Sequence, residues 1–113
     1  MAVLRPKRGE VWWVNFNPST GSESRKVRPA IVVSNNHFNR IGNRFQVVPL
    51  TSNISRVYPS DCIVTVRGQK GKATANQLTT VDISRMEKKI VKLKDNELEQ
   101  VEQVIKIQLG LGL

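Results

Sequence analysis

Val11-Trp12-Trp13-Val14-Asn15-Phe16 is rich in aromatic and β-branched side chains, which suit a pleated strand better than a helix. In a strand, Trp12 and Trp13 point to opposite faces. One belongs in the core. The other packs elsewhere in the fold or at a dimer contact. Asn17-Pro18-Ser19-Thr20-Gly21-Ser22 then reads as a loop. Beyond it, Ala30-Ile31-Val32-Val33-Ser34 and Phe45-Gln46-Val47-Val48-Pro49-Leu50 are short apolar runs of buried-strand type. Cys62-Ile63-Val64-Thr65-Val66 and Lys89-Ile90-Val91-Lys92-Leu93 add two more, and Thr74 to Val81 leaves room for another. The period then changes. Leu98, Val101, Ile105 and Leu109 recur at helical spacing beside Val104. Asp95 is the expected N-cap, Glu97 and Glu99 favour the positive end of the helix dipole, and Gly110 and Gly112 stop the helix. The plan is mainly β: a small, strongly bent antiparallel sheet or barrel with a C-terminal helix packed on it.

A chain of 113 residues, without repeat or linker, fits one domain over 1–113. At 39% hydrophobic and 24% charged it reads as a soluble globular protein. No apolar run spans a bilayer, and Met1 to Lys7 lacks a signal-peptide core. A cytoplasmic location is expected. Cys62 is the single cysteine and lies in an apolar run, so a buried, inert thiol is expected.

The charge is uneven. Eighteen basic residues against nine acidic give a net +9. Residues 1–60 hold nine Lys/Arg against Glu10 and Glu23, whereas residues 87–113 hold five of each sign. A concentrated positive field draws polyanions, nucleic acid above all, and also suits an acidic protein partner.

Residues 36–43 (Asn36 to Asn43) read as the connection between the second and third strands. If those strands form a hairpin, its midpoint lies near Asn39/Arg40, and equal counting outward sets Arg28 opposite Thr51. A guanidinium grips two phosphate oxygens at once, and a threonine hydroxyl reaches a non-bridging one. Arginine before a proline and threonine after a strand are common, so the pair alone does not establish catalysis. Glu23 is a carboxylate in the same region, or an exposed partner for Arg25. His37 is the sole histidine and lies in a polar loop, so one chain offers no two-histidine acid–base pair. Phosphate-loop, CxxC and HExxH patterns and close carboxylate clusters are missing from the sequence, so no metal or cofactor is expected. Lys70-Gly71-Lys72 reads as a basic turn, either solvated or touching a backbone phosphate.

Four ordered blocks carry a resemblance over nearly the whole chain. They are Arg8-Gly9-Glu10-Val11-Trp12-Trp13-Val14 with Phe16-Asn17-Pro18 and Gly21-Ser22-Glu23; Arg28-Pro29-Ala30-Ile31-Val32-Val33-Ser34; Val48-Pro49-Leu50-Thr51-Ser52; and Ala75-Asn76-Gln77-Leu78-Thr79-Thr80-Val81-Asp82 with Arg85. In these the sequence resembles the MazF/PemK (Kid-like) toxins of type II toxin–antitoxin systems. The resemblance implies an SH3-like barrel with a C-terminal helix, acting as a two-fold dimer. It implies metal-independent, sequence-specific cleavage of single-stranded RNA, which stops translation, and inhibition by an acidic antitoxin. The family's catalytic arginine and threonine fall on Arg28 and Thr51, and a glutamate implicated near the RNA falls on Glu23. The RNA-binding set is then Arg25, Lys26, Ser52, Asn53, Arg56, Lys70, Lys72 and Gln77, with Gln77 read as scaffold or dimer-groove packing before chemistry. The stretches Ser19 to Val27 and Asn53 to Tyr58 vary among members and border the RNA groove, so the cut sequence does not carry over. The alternatives are a gyrase-inhibiting toxin of the same fold, which relies on a Trp-Gly-Ile ending absent from Leu109-Gly110-Leu111-Gly112-Leu113, and a non-catalytic nucleic-acid-binding module.

Overall fold

The computed structural model describes residues 4–17 and 26–112. The strands are β1 (Glu10–Asn15), β2 (Val27–Val32), β3 (Arg44–Thr51), β4 (Asp61–Val66), β5 (Gln69–Thr74), β6 (Thr79–Asp82) and β7 (Met86–Lys92). Helix α1 (Asn36–Ile41) links β2 to β3, and α2 (Asp95–Leu109) follows β7. The strands form one curled antiparallel sheet in the order β4-β5-β3-β2-β1-β7, with β6 also on β3. The curl brings the two ends of the sheet together. The Arg67 guanidinium, in the β4–β5 turn, donates to the Ile90 carbonyl of β7 at 2.8 Å.

The central strands are apolar at both parities because both faces are covered. On one face Val11, Ile31, Val33, Val48 and Leu50 meet Val64, Ala73 and Val101, with Leu98 and Ile105 of α2 packed against them. On the other, Trp12, Val14, Ala30, Val32, Phe45, Val47 and Val81 form a second cluster. Trp12 is therefore the core tryptophan, and Trp13 stays exposed. Two layers of packing fix the pitch of β2 and β3, and hence where their ends lie.

Several local expectations need correction. The 36–43 connection is helical at Asn36–Ile41, with the Asn35 side chain accepting from the His37 amide at its start, so His37 stands exposed on α1 rather than in a loop. Lys70-Gly71-Lys72 is not a turn but part of β5. The turn is Arg67-Gly68, both with positive φ (50° and 80°), as a two-residue hairpin loop requires. Thr74 to Val81 holds the end of β5, a 3-10 turn at Ala75–Gln77 and most of β6. Helix α2 starts at Asp95 itself, with Lys94 at the cap position and no side-chain cap bond. Gly110 does end it, in the left-handed conformation (φ 68°). Leu109 is exposed, not part of the packed face.

The most heavily bonded buried charge is Glu10. One carboxylate oxygen accepts from the Trp12 indole N–H at 3.0 Å and the Lys7 amide at 2.9 Å, and the other faces Lys89 Nζ at 3.1 Å. Burial pushes this carboxyl's pKa up, but the bonds from Trp12, Lys7 and Lys89 outweigh it, and the net shift is downward. A lowered pKa in the folded state means stability that is present above the unfolded value and lost as pH falls through the folded one. Glu10→Gln should therefore cost about 1–3 kcal/mol at pH 7. Urea unfolding of both proteins at pH 7 and again near pH 3 checks this: the gap should close in acid. A gap that persists at low pH would mean that shape, not charge, is what Glu10 contributes.

Candidate active site

The geometry follows from where the β2–β3 ladder stops. The pairs are Val32↔Val47, Ile31↔Val48 and Ala30↔Pro49. Counting two steps past the last pair in that register reaches Arg28 and Thr51, which are no longer paired with each other. Beyond Pro49, β3 changes partner and pairs with β5 through Leu50↔Ala73 and Thr51↔Lys72. Side chains alternate, so Arg28, Thr51 and Lys72 emerge on the face opposite α2, while their neighbours Leu50 and Ala73 enter the α2-side core.

Arg28 is exposed, and among the described residues it forms neither an ion pair nor a side-chain hydrogen bond. Thr51 Oγ1 accepts from the Asn53 amide at 3.2 Å, which leaves its own O–H free to donate. The two side chains line one cavity of about 210 Å³ with Tyr58, Asp61, Lys72 and Gln77. They also line an adjoining groove of about 500 Å³ with Trp13, Ser52, Arg67 and Lys70. A third hollow, about 380 Å³, joins Arg28 to Lys26, Phe16 and Gln77. Arg28 thus lies where three depressions meet.

The loop after β3 is braced from within. Asn53 Oδ1 accepts from the Ser55 amide and hydroxyl at 3.2 and 2.7 Å. The Arg56 guanidinium donates to the Tyr58 hydroxyl at 3.3 Å, and its carbonyl accepts from Lys72 Nζ at 2.8 Å. Asp61, buried, accepts from the Tyr58 amide at 2.9 Å and faces Lys72 Nζ at 3.9 Å. Most cations that line these cavities have no facing carboxylate among the described residues, so the local field is positive and suits a phosphodiester.

Of the sequence-derived candidates, Arg28, Thr51, Lys26, Ser52, Lys70, Lys72 and Gln77 line this connected groove. Asn53 and Arg56 act on its loop. Glu23 and Arg25 lie outside the described residues. His37 is not among the lining residues. Sequence reasoning missed Asp61, which opens β4 with no motif around it, and placed Trp13 elsewhere. No signal in the sequence sets Lys72 beside Thr51, because Gln69–Thr74 carries no apolar alternation.

The family model for the PemK-like, MazF-like toxin of type II toxin-antitoxin system matches residues 7–109. Endoribonuclease MazF9 of Mycobacterium tuberculosis is 37% identical over 114 residues, covering 93% of this chain and 97% of that protein. Endoribonuclease EndoA of Bacillus subtilis is 30% identical over 114 residues, covering 93% and 95%. A solved MazE-MazF structure from Deinococcus radiodurans superposes with a TM-score of 0.84 at 27% identity, covering 97% of this chain and all of that one.

Cys62 is half-buried rather than fully buried as expected; it adjoins Asp61 but is no nucleophile for this site. Burial pushes its thiol up to about 11, and the nearby charges of Asp61 and Glu97 add to the shift. Iodoacetamide at pH 7.5 should alkylate it many times more slowly than glutathione. The rate should climb as pH approaches 11. Modification as fast as that of the free thiol would contradict this assignment.

Proposed function

This chain belongs to the PemK-like, MazF-like toxin family of type II toxin–antitoxin systems, and we propose that it is a single-domain, metal-independent endoribonuclease that cuts single-stranded RNA and so stops translation. The observation that carries the reading is the shared cavity, just past the end of the β2–β3 ladder, of the Thr51 hydroxyl and an Arg28 guanidinium that has no partner among the described residues. The names of MazF9 and EndoA support the activity.

The nucleophile in this mechanism is the RNA's own 2′-hydroxyl. Its oxygen bonds to the adjacent phosphorus, the bond from phosphorus to the 5′-oxygen breaks, and the products carry a 2′,3′-cyclic phosphate and a 5′-hydroxyl. Arg28 neutralises the charge that gathers on the phosphorane-like transition state, and Thr51 donates to one of its oxygens. Glu23, or Arg28 itself, takes the 2′-proton, although a guanidinium is ordinarily a poor base at neutral pH, and the departing 5′-oxygen takes a proton back from that group or from water. Lys26, Ser52, Lys70 and Lys72 with the loop of Asn53 and Arg56 hold the flanking strand, Gln77 closes the groove, and Arg25 adds its charge to the RNA-binding set.

The chain works as a homodimer in the cytoplasm. Phe38, Ile41, Leu109 and Leu111 are exposed apolar side chains that pairing would cover, and no helix among the described residues is long and apolar enough to cross a membrane. An acidic antitoxin segment is its inhibitor, drawn by the +9 charge.

Sedimentation should return about twice the chain's 12.7 kDa; a monomer at micromolar concentration overturns the pairing. Arg28→Ala and Thr51→Val should each lower cleavage of a long defined RNA by about a hundredfold or more, with thermal midpoints within a few degrees of the parent. EDTA should leave cleavage intact. A 2′-deoxy substitution at the cut nucleotide should block it and spare binding. Cleavage of that deoxy substrate at the normal rate would falsify the mechanism.

A further inference from the structure

We propose that Lys72 is the second cation of the reaction site, donating to the phosphate that Arg28 and Thr51 hold. The proposal rests on the endoribonuclease reading above and gives Lys72 a different task from general attraction of the RNA backbone.

The placement comes from the sheet. Thr51 and Lys72 are direct partners in the β3–β5 ladder, so their Cβ atoms lie about 5 Å apart on one face. Strand β2 lies on the other side of β3, and its Arg28, two residues before the last β2–β3 pair, lines the same cavity. Three adjacent strands therefore carry cation, hydroxyl and cation in a row across one cavity. A phosphate seated on the Thr51 hydroxyl has a guanidinium on one flank and an ammonium on the other.

The ammonium is held in place without being used up. Its side chain is only 13% exposed, so it is not a solvated surface lysine. One N–H donates to the Arg56 carbonyl at 2.8 Å. Asp61 lies at 3.9 Å, close enough to fix the charge but too far for a hydrogen bond. An ammonium has three donors, so two remain for oxygens in the cavity. Lys72 stays protonated throughout and transfers no proton; it acts by stabilising charge at the transition state.

The competing role is a strut that merely supports the loop through the Arg56 carbonyl. Asp61→Asn and the double variant Lys72→Met/Asp61→Asn separate the two. Removing both charges together avoids leaving Asp61 buried and unpaired, and thermal melts confirm that each variant is folded. Affinity for a single-stranded RNA, 2′-deoxy at the mapped cut, is measured from low to moderate salt, alongside single-turnover cleavage of the all-ribose strand at saturation. Asp61→Asn should keep the parent's slope of log affinity against log salt. The double variant should lose about 0.7 from that slope, one single-strand phosphate contact, and its saturated rate should fall at least about tenfold below that of Asp61→Asn. Equal slopes and equal rates in the two variants would overturn the proposal and leave Lys72 as a strut. If the parent protein neither binds nor cuts RNA, the endoribonuclease reading itself fails and this one with it.

Discussion

The site depends on a missing hydrogen bond. In an antiparallel pair the rungs fall on alternate residues. The Val33 amide donates to the Gln46 carbonyl at 2.9 Å, which sets the next bonded pair at Ile31/Val48 and the one after at Pro29/Leu50. Pro29 has no N–H to give. The ladder ends at Ala30↔Pro49, and Leu50 and Thr51 turn to β5 instead. Proline at position 29 thus frees the β3-facing edge at the end of β2, while β1 still pairs with Arg28 through Val14, and Arg28 is held extended by the proline that follows it. The same break lets β3 act as a hinge line between β2 and β5, so that residues from three strands share one cavity.

The rest of the fold keeps that end in position. Both faces of β1, β2 and β3 are buried, and a one-residue slip would carry every core side chain to the wrong cluster. Inside the β2–β3 connection, Asn39 is buried and bonded to Ser34 in both directions: the Ser34 hydroxyl donates to its Oδ1 at 2.6 Å, and its Nδ2 donates to the Ser34 carbonyl at 2.9 Å. This short helix cannot wander relative to β2. Register, connection and ladder end are one mechanical unit, and Arg28 and Thr51 sit at its far extremity.

That unit explains why the convergence of Arg28 and Thr51 on one cavity was legible from sequence. Equal counting outward from Asn39/Arg40 works for any symmetrical connection, and it survived the replacement of the expected loop by a helix. The apolar runs that became β1, β2, β3 and β4 were legible because they are buried at both parities or rich in β-branched residues. Strand β5 was not. Its Gln69-Lys70-Gly71-Lys72 opening has weak strand propensity and no apolar alternation, and it is held in the sheet by pairing on both sides, with β4 and with the end of β3. Tertiary context made it a strand. The start of α2 was misplaced for a simpler reason: Asp95 serves the helix dipole equally well as first helical residue, so composition alone does not separate the two positions.

Two buried carboxylates show how the same ionic chemistry does different work in one small protein. Glu10 and Asp61 are the buried acidic residues among those described, and each faces a lysine. Glu10 is saturated: indole, amide and Lys89 all converge on it within 3.1 Å, at the start of β1. Such a pair costs desolvation and returns it through bonds, so its benefit is fixity. Asp61 spends its bonding on the Tyr58 amide and leaves Lys72 at 3.9 Å. A lysine held for stability alone would close that distance, because a buried pair gains most when the contact is tight. Lys72 instead leans on the Arg56 carbonyl, on the cavity side of the sheet, with donors to spare. The Glu10 arrangement is that of a structural charge. The Asp61–Lys72 arrangement is incomplete as structure and becomes complete when an anion occupies the row that begins at Arg28.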